Sequence, residues 1–426
     1  QPYYQALIRM IDQGKLGTIS NLDISQAHDY HGMSVMRRLL GTGMENCRIT
    51  ARTYDFPVNY HCGREGLHKG EKTIVDTRKR AEFVFPDGKV GSGLYGDFGP
   101  YCVHGPRVHE FLKEMNREVL SKYDIMTVGE TSGVTIEEAQ NYAGEARNEL
   151  NMVFQFEHIL LDQQEGKEKW DLAPFPFMKF KQIIKKWQKE LYKCGWNSLF
   201  WNNHDLPRIV SRWGNDKEYR VESAKMLATL LHGLQGTPYV YQGEELGMTN
   251  VKFDIEDYKD IETLNLYKER LEKGYAKEDI MESIYVKGRD NARTPMQWDD
   301  TENAGFTTGT PWIKVNPNYK TINAKSQTSN KNSIFTYYKN LIAFRKEYPV
   351  FVDGDFEMLL EENEHLFAYK RTTEDAKLYV FCNFYGETET CDMLEEMQDK
   401  KLLISNYAEQ EDNILKPYEA RMYIEL

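Results

Sequence analysis

The pattern of apolar and polar residues predicts three β-strands that each end in charged or amide side chains. Residues 124–130 form an apolar run that closes on Glu130, and residues 197–201 form another that leads into Asn-Asn-His-Asp. A third run, residues 236–245, ends in Gln-Gly-Glu-Glu. Polar side chains that follow a buried strand are typical of a site, because the backbone is rigid there and the side chains point into a cleft.

Helical periodicity between and around these strands predicts an α/β fold. Apolar positions at helical spacing predict helices at residues 108–122, 135–146, 177–192, 221–234 and 334–348. The lysines of the helix at 177–192 indicate a solvent-facing side. Strands that alternate with helices favour a parallel barrel, which would bring the three strand-end acids to one face.

Both ends of the chain differ from this central region. Short alternating strands at residues 366–371, 378–384, 401–405 and 419–424 predict a small antiparallel β domain, of the β-sandwich type. The beginning of the chain predicts an α+β segment, with helices at 3–13 and 32–40 and strands at 18–25, 49–56 and 73–85. We therefore expect three parts, residues 1–85, 86–350 and 351–426.

The composition of the chain excludes some classes of binding partner and favours one cellular compartment. The net charge of −12 argues against nucleic acid and against an anionic membrane as partners. The six cysteines show neither metal-ligand spacing nor a short-range disulfide pattern. The sequence has no signal-peptide pattern and no apolar run of membrane-spanning length, so we expect a cytoplasmic protein without metal or cofactor.

Four sequence motifs at and after the predicted strand ends resemble those of a known protein family. Residues 127–130 (TVGE), 202–205 (NNHD), 236–248 (GTPYVYQGEELGM) and 287–300 (KGRDNARTPMQWDD) resemble the oligo-1,6-glucosidase branch of the α-amylase family. The last motif is the most specific, because its continuation to residue 313 is too long for a chance match. The resemblance covers about residues 86–426. It implies a retaining glycoside hydrolase that acts on α-glucosidic bonds of short oligosaccharides, built on a (β/α)8 barrel with a C-terminal β domain.

The resemblance assigns catalytic roles to two carboxylates. A retaining glycosidase needs two carboxyl groups roughly 5–5.5 Å apart, one to protonate the leaving oxygen and one to attack the anomeric carbon. Glu130 matches the acid/base residue, with an exposed helix-capping Glu as the alternative reading. Asp205 matches the third carboxylate of the family, which holds the 2- and 3-hydroxyls of the sugar.

The resemblance assigns substrate binding to other polar side chains of the motifs. His204 and Asn203, beside Asp205, would hydrogen-bond the same sugar. Arg289 matches an arginine that contacts substrate in the family, whereas Arg293 is interpreted as a structural ion-pair partner. The glutamates at the end of the third run are expected to shape the barrel.

The nucleophile of the family has no counterpart in the sequence. It is an Asp in a short strand of the G-F-R-x-D type, and no such sequence occurs here. The nearest acids, Asp76 and Asp87, do not follow an apolar strand with an Arg two residues earlier. We therefore expect an incomplete chain that contains the C-terminal half of a barrel and has impaired turnover. The alternative is a non-catalytic carbohydrate-binding protein or a vestigial fusion.

The first part of the chain carries a second resemblance. Residues 11–19 (IDQGKLGTI) and 27–41 (AHDYHGMSVMRRLLG) resemble the start of the C-terminal domain of dehydrogenases such as glucose–fructose oxidoreductase and inositol dehydrogenase. His31 lies ten residues before Gly41, as a substrate-site His does in that family, but Ser34 replaces its usual Asp. No glycine-rich dinucleotide fingerprint precedes this segment. An oxidoreductase accessory domain and a small α+β remnant with a surface His remain as alternatives, and we expect no redox activity.

Overall fold

The computed structural model describes the chain almost completely from Arg107 onward. Before that point it describes the backbone of four strands without their side chains, the positions Ile11 and Gln13, and residues 104–105. Residues 107–426 are described apart from Gly166. The chain divides into two compact units, Gln1–Val108 and His109–Leu426, which are presented separately.

In the first unit, four strands form one sheet in the order β1-β4-β3-β2. β1 runs parallel to β4, whereas β3 is antiparallel to both of its neighbours. The predicted helix at residues 32–40, His31 and Asp87 lie outside the described residues, as does the side chain of Asp76. The strand bounds are β1 Asn21–Ser25, β2 Arg48–Gly63, β3 Gly66–Val84 and β4 Val90–Tyr95.

The second unit contains a ladder of four short parallel strands. β5 pairs with β6 and β7 pairs with β8, both in parallel, and a parallel bridge between Val153 and Asn197 connects β6 to β7. The spatial order therefore follows the chain, and the carboxyl ends of the strands lie along one edge. The bounds are β5 Val128–Glu130, β6 Met152–Phe154, β7 Ser198–Leu199 and β8 Thr237–Pro238.

Helices alternate with these strands and continue beyond them. The helices predicted between residues 108 and 348 are present with slightly different ends, and the charged segment after β8 contains two more. The helix predicted at residues 3–13 lies outside the described residues except for positions 11 and 13. Within the described part of the chain, none of the helices has the length and apolar character that crossing a bilayer requires. The bounds are α1 Val108–Glu118, α2 Ile136–Ala143, α3 Phe177–Glu190, α4 Ile209–Arg212, α5 Arg220–His232, α6 Ile261–Glu272, α7 Lys277–Lys287, α8 Asp290–Arg293, α9 Ala324–Thr328, α10 Ile334–Glu347 and α11 Val350–Asp353.

The C-terminal region forms an antiparallel sheet, as its alternating pattern predicts. Five strands pair in the order β13-β15-β11-β10-β9, and β12 pairs with β14 in a separate two-stranded sheet. The sequence prediction missed β9, although alternate residues of that strand are buried. The bounds are β9 Asp355–Leu359, β10 Leu366–Thr372, β11 Lys377–Asn383, β12 Glu389–Thr390, β13 Lys401–Ser405, β14 Ile414–Leu415 and β15 Ala420–Glu425.

An aromatic cluster packs the C-terminal sheet against the strand ladder. Phe180 on α3 is fully buried. The centroid of its ring lies 5.9 Å from that of Trp201, which follows β7, and 5.5 Å from that of Trp213. On its other side it lies 5.6 Å from Phe367 and 5.8 Å from Phe384 of the C-terminal region. Aromatic pairs at these separations add specific edge and stacking contacts to the burial of apolar area. The position of the chain just after β7 therefore depends on the core.

The expectation that the lysines of α3 face solvent is confirmed for Lys179, Lys186 and Lys189, which are exposed, and is wrong for Lys181. The lysines of this helix were expected to form a solvated face, yet Lys181 is almost completely buried. Its ammonium group donates to the backbone oxygens of Leu360 (2.6 Å), Asn363 (2.8 Å) and Leu366 (3.0 Å), and burial lowers its pKa to about 8. The carbonyl acceptors come from a turn that is distant in sequence, so helical periodicity could not reveal them.

The close contact between α5 and β10 gives a stability test. A Cβ atom added at Gly233 would overlap the hydroxyl of Tyr369, which is fully buried and donates to Leu230 O at 2.8 Å. We expect Gly233→Ala to lower the free energy of unfolding by about 1–3 kcal/mol, because a packed core accommodates an extra carbon poorly. Gly309→Ala is the control, since the nearest atom to an added Cβ there is 3.7 Å away. Urea unfolding of both variants measures the difference, and equal midpoints would contradict the packing argument.

Candidate active site

Glu130 occupies the end of the first strand of the parallel ladder. It is the last residue of β5, it pairs with Phe154 of β6, and its side chain is exposed. The strand stops immediately afterwards, where the backbone N–H (3.1 Å) and the hydroxyl (2.8 Å) of Thr131 both donate to Phe154 O. The carboxylate therefore stands at the edge where the chain turns from strand to loop, as the sequence predicted.

The Asn-Asn-His-Asp segment leaves β7 in a turn that separates buried from exposed side chains. Asn202 is buried, and its amide oxygen accepts from the N–H of Ile209 at 3.2 Å. The side-chain oxygen of Asn203 accepts from the N–H of Asp205 at 2.8 Å, so it fixes the turn. His204 and Asp205 follow with exposed side chains. Asn203 was expected to bind substrate, and the structure gives its oxygen a role in the turn.

Two arginines converge on one oxygen of Asp205. Arg293 Nη2 lies 2.6 Å from Oδ1, and Arg289 Nη1 lies 3.5 Å from the same atom. The other oxygen, Oδ2, has only His204 Nε2 at 3.5 Å among the described residues. Arg293 Nε also donates to His204 O at 3.0 Å. Oδ2 therefore remains able to accept further hydrogen bonds.

The buried Asp260 holds Arg289 in place. Its side chain, which is 2% exposed, accepts from Arg289 Nε at 2.7 Å and from Nη2 at 2.6 Å, a bidentate geometry. The backbone N–H groups of Lys259 and Asp260 in turn donate to Asp290 Oδ2 at 2.7 and 2.9 Å. Burial alone would raise the pKa of Asp260, but the hydrogen bonds and charge of Arg289 and the charge of Arg293 hold it below its ordinary value.

The sequence analysis missed Asp260 and Glu262 as members of this cluster. Glu262 Oε2 lies 3.1 Å from Arg289 Nε and 2.6 Å from Lys169 Nζ. Asp260 is the N-cap residue of α6 and accepts from the N–H of Glu262 at 3.2 Å. In the sequence, an Asp followed by Glu at the start of a helix indicates helix capping. This local pattern does not reveal that Asp260 and Glu262 form ion pairs with the distant Arg289. Arg293 was interpreted as a structural ion-pair partner, and it forms an ion pair with Asp205 at 2.6 Å, whereas the substrate contact expected of Arg289 stays a prediction.

Arg208 ties the arginine-bearing segment to the end of β8. Its buried guanidinium donates to Asn291 O at 3.1 Å, to Ala292 O at 3.2 Å and to Gln242 O at 2.5 Å. Burial lowers the pKa of Arg208 to about 10, which leaves it charged near neutral pH. The backbone of α8, which ends at Arg293, is therefore fixed relative to the strand ladder.

Glu244 is a buried carboxyl group directly beneath the site. Its Oε1 accepts from the hydroxyl of Tyr338 at 2.9 Å, and its Oε2 accepts from the amide nitrogen of Asn202 at 2.5 Å. Burial, assisted by the charge of Glu245, raises the pKa of Glu244 to about 8 against the hydrogen bond of Tyr338. Glu244 thus connects the chain after β8 to the buried amide at the end of β7 and to α10.

A cleft of about 530 Å³ lies away from this cluster, beside the opposite ends of the strands. Its lining includes Asn151, Trp196 and Gln235, which precede β6, β7 and β8. No hydrogen bond or ion pair connects Glu130 to Asp205 among the described residues. Over the same residues, no group of three or more His, Cys, Asp or Glu side chains has the arrangement of a metal site.

The raised pKa of Glu244 generates a pH test of stability. The folded pKa of about 8 lies above the ordinary value of 4.5, so folding takes up a proton between these values. The contribution to the free energy of unfolding is therefore fully present below pH 4.5 and falls as the pH rises towards 8. We expect Glu244→Gln, which stays neutral, to remove up to about 1.4 kcal/mol of that fall per pH unit.

Urea unfolding at a series of pH values measures this slope. Glu278→Gln is the control, because Glu278 is an exposed residue on α7. The control should keep the slope of the unchanged protein. A Glu244→Gln variant whose stability falls with pH as steeply as that of the control would show that Glu244 is ionised in the folded state.

Comparison with known proteins places these features in a family context. Residues 75–354 match the profile "Alpha amylase, catalytic domain". The chain is 58% identical to the oligo-1,6-glucosidase of Parageobacillus thermoglucosidasius over 348 residues, which cover 79% of this chain and 62% of the relative. It is 48% identical to the trehalose-6-phosphate hydrolase of Bacillus subtilis over 390 residues, covering 89% of this chain and 68% of that one.

A solved structure shares the fold of this chain over most of its length. The crystal structure of trehalose-6-phosphate hydrolase from Bacillus licheniformis superimposes with a TM-score of 0.74 at 51% identity. The match covers 77% of this chain and 61% of that one. The chain thus spans about three-fifths of the length of the oligo-1,6-glucosidase it matches.

Proposed function

Since the chain belongs to the α-amylase family, we propose that it binds short α-glucosidic oligosaccharides at the carboxyl ends of β5–β8 and hydrolyses them. Glu130 acts as the general acid, and Asp205 holds the sugar ring. This family membership rests on a match over residues 75–354 and on relatives at 48–58% identity. The oligosaccharide is the partner of the site, and the proposal involves no cofactor, no nucleic acid and no membrane.

The observation that carries this proposal is that neither arginine binds Oδ2 of Asp205. Because Arg289 and Arg293 both bind Oδ1, the carboxylate is held in one orientation with Oδ2 accessible. A carboxylate oxygen accepts two hydrogen bonds readily, and the adjacent 2- and 3-hydroxyls of a glucosyl ring are suitable donors. His204, which is exposed beside it, can bond the same ring. The negative charge of the fixed Asp205 carboxylate stabilises the positive charge that develops on the sugar in the transition state.

Glu130 supplies the proton in this proposal. In glycoside hydrolysis a carboxylic acid protonates the glycosidic oxygen as the bond to the anomeric carbon breaks. Its place at the end of β5, on the same sheet edge as the segment after β7, supports this role. A bound sugar would cover the exposed side chain and exclude water from it.

Exposed aromatic rings provide a surface for further sugar units. Trp298 and Trp312 are 51% and 66% exposed, and Phe306 lies between them in the sequence with an exposed ring. The backbone N–H groups of Trp298 and Asp299 both donate to Ala304 O, at 2.9 and 3.1 Å, so the loop has a fixed shape. Flat aromatic faces of this kind stack on the apolar faces of pyranose rings.

The finer part of the proposal concerns turnover. A closed (β/α)8 barrel has eight parallel strands, and the described residues supply four of them, so we propose a partial barrel. The sequence has no G-F-R-x-D-type strand, and the proposal therefore includes impaired turnover. This observation favours a second function, carbohydrate binding without hydrolysis. For residues 1–85 we propose a remnant of an oxidoreductase-like domain without redox activity.

We also propose a cytoplasmic location. Among the cysteines that the structure describes, Cys194 is exposed and Cys382 and Cys391 are buried, and all three are free thiols. Thiols persist in a reducing compartment. The net charge of −12 does not favour binding to anionic surfaces.

Hydrolysis of two substrates by Glu130→Gln tests the catalytic proposal. The leaving group of isomaltose needs a proton, whereas the nitrophenolate of p-nitrophenyl α-glucoside departs without one. We therefore expect Glu130→Gln to lower kcat/KM for isomaltose by about 10²–10⁴-fold and to lower kcat/KM much less for the nitrophenyl substrate. Glu137→Gln, an exposed residue at the start of α2, is the matched control and should keep both rates.

The other outcomes separate the candidate functions. Equal losses for both substrates would contradict a proton-transfer role for Glu130. If the unchanged chain shows no turnover, calorimetric titration with isomaltose distinguishes binding from an inert protein. Saturable binding that Arg293→Gln weakens would support the second function, and absence of binding would exclude both.

A further inference from the structure

A polar cleft lies between the helical layer and the C-terminal sheet, remote from the strand ends. It has a volume of about 300 Å³ and is bordered by α5, by the start of α10 and by the loop after β13. This volume is at the lower end of the range of metabolite pockets, roughly 300–1,000 Å³. Its polar lining residues include Lys225, Lys331, Asn332, Asn340, Ser405 and Tyr407.

Lys225 is the unusual member of this lining. The residue is only 7% exposed, and its ammonium group donates to a single acceptor, Asn332 O, at 2.7 Å. The ring of Tyr337 lies 5.4 Å from Nζ. Burial lowers the pKa of Lys225 against the charge of Glu222, and no carboxylate of the described residues lies within 4.0 Å of Nζ. Two of its three N–H donors are therefore left for a group in the cleft.

The other buried lysines of the second unit show how such charges are normally compensated. Lys181 donates to three backbone oxygens, which use all of its donors. Lys287 lies 2.5 Å from the carboxylate of Asp162. A buried ammonium without a carboxylate or a full set of acceptors is destabilising by itself. An anion in the cleft would give Lys225 the hydrogen-bond acceptors and negative charge that the protein itself provides to Lys181 and Lys287.

The remaining lining suits an anion with several acceptor oxygens. Lys331 is exposed and forms no ion pair with any described residue, so the cleft holds a second cation. The side chains of Asn332 and Asn340 are exposed and can donate from their amides. The amino-terminal end of the fourteen-residue helix α10 borders the cleft, and its dipole favours negative charge.

We propose that this cleft binds the phosphate group of a small phosphate monoester. Lys225 and Lys331 neutralise the phosphate, which carries about −1.5 to −2 charges near neutral pH. Lysine binds phosphate as a compact point charge, so the bidentate geometry of arginine is not required. The volume of about 300 Å³ exceeds that of a phosphate ion and leaves room for the esterified part. This site does not depend on hydrolysis at the strand ends.

Thermal unfolding and calorimetry of the purified full chain test the proposal. The probes are inorganic phosphate, glucose 6-phosphate and glucose, at ionic strength matched with sodium chloride. We expect glucose 6-phosphate to raise the unfolding midpoint by a few degrees in a saturable way, phosphate to act more weakly, and glucose to have no comparable effect at this site. Lys225→Met should weaken phosphate binding about tenfold or more.

Three variants make the result decisive. Lys225→Met is expected to fold, because it removes a buried charge that has no carboxylate partner. Lys331→Gln changes only an exposed side chain and should weaken binding severalfold, so the test stands even if Lys225→Met does not fold. Arg289→Gln reports on phosphate bound at the strand ends and should leave binding in the cleft unchanged.

The outcomes that overturn the proposal are distinct. A chain that shows no saturable response to either phosphate probe has no such site. Binding that survives both lysine substitutions, or that is lost only in Arg289→Gln, places the anion elsewhere. Saturable binding of phosphate without binding of glucose 6-phosphate would restrict the site to the free ion and exclude the monoester.

Discussion

The bidentate ion pair between Asp260 and Arg289 is the interaction on which the arrangement at the strand ends depends. β7 delivers His204 and Asp205 to the edge of the ladder, but it does not orient the carboxylate. That orientation comes from α8 and the residue before it, which carry the two arginines, and Asp260 fixes Arg289 at 2.6–2.7 Å from its oxygens. With Asp260 nearly fully buried and Asp290 holding its backbone, the guanidinium has little freedom to move. The free oxygen of Asp205 is therefore a consequence of packing far along the chain.

This dependence explains how much could be predicted from the sequence. The parallel strands, the helices between them and the antiparallel C-terminal sheet follow from local periodicity, and the motifs located Glu130 and Asp205 at strand ends. Asp260, Lys181 and Lys225 were not predicted, since their partners lie many residues away and depend on tertiary packing. For α3, helical periodicity assigned the lysines as a group to the solvent-facing side and could not identify Lys181 as the one that is buried.

Buried charge has different consequences at three places in the second unit. At Lys181 the charge is fully compensated by carbonyl oxygens and connects α3 to the C-terminal sheet. At Glu244 the cost of a buried charge is avoided in a different way, because burial raises the pKa of this carboxyl group to about 8 and favours its neutral form. Lys225 has only one hydrogen-bond acceptor and no carboxylate within 4.0 Å among the described residues, which is why we assign a ligand to its cleft. These three buried groups show that the partners of a buried charge, rather than its burial alone, indicate whether it has a function.

A crystal structure of the Glu130→Gln variant with isomaltose would test the central claim most directly. That claim is that sugar binds at the carboxyl ends of β5–β8, against the oxygen of Asp205 that the arginines leave free. The predicted result is a glucosyl ring whose 2- and 3-hydroxyls lie within about 3.2 Å of Asp205 Oδ2, with the Arg293 pair intact. A sugar bound in the cleft at the opposite strand ends, beside Trp196 and Gln235, would contradict it.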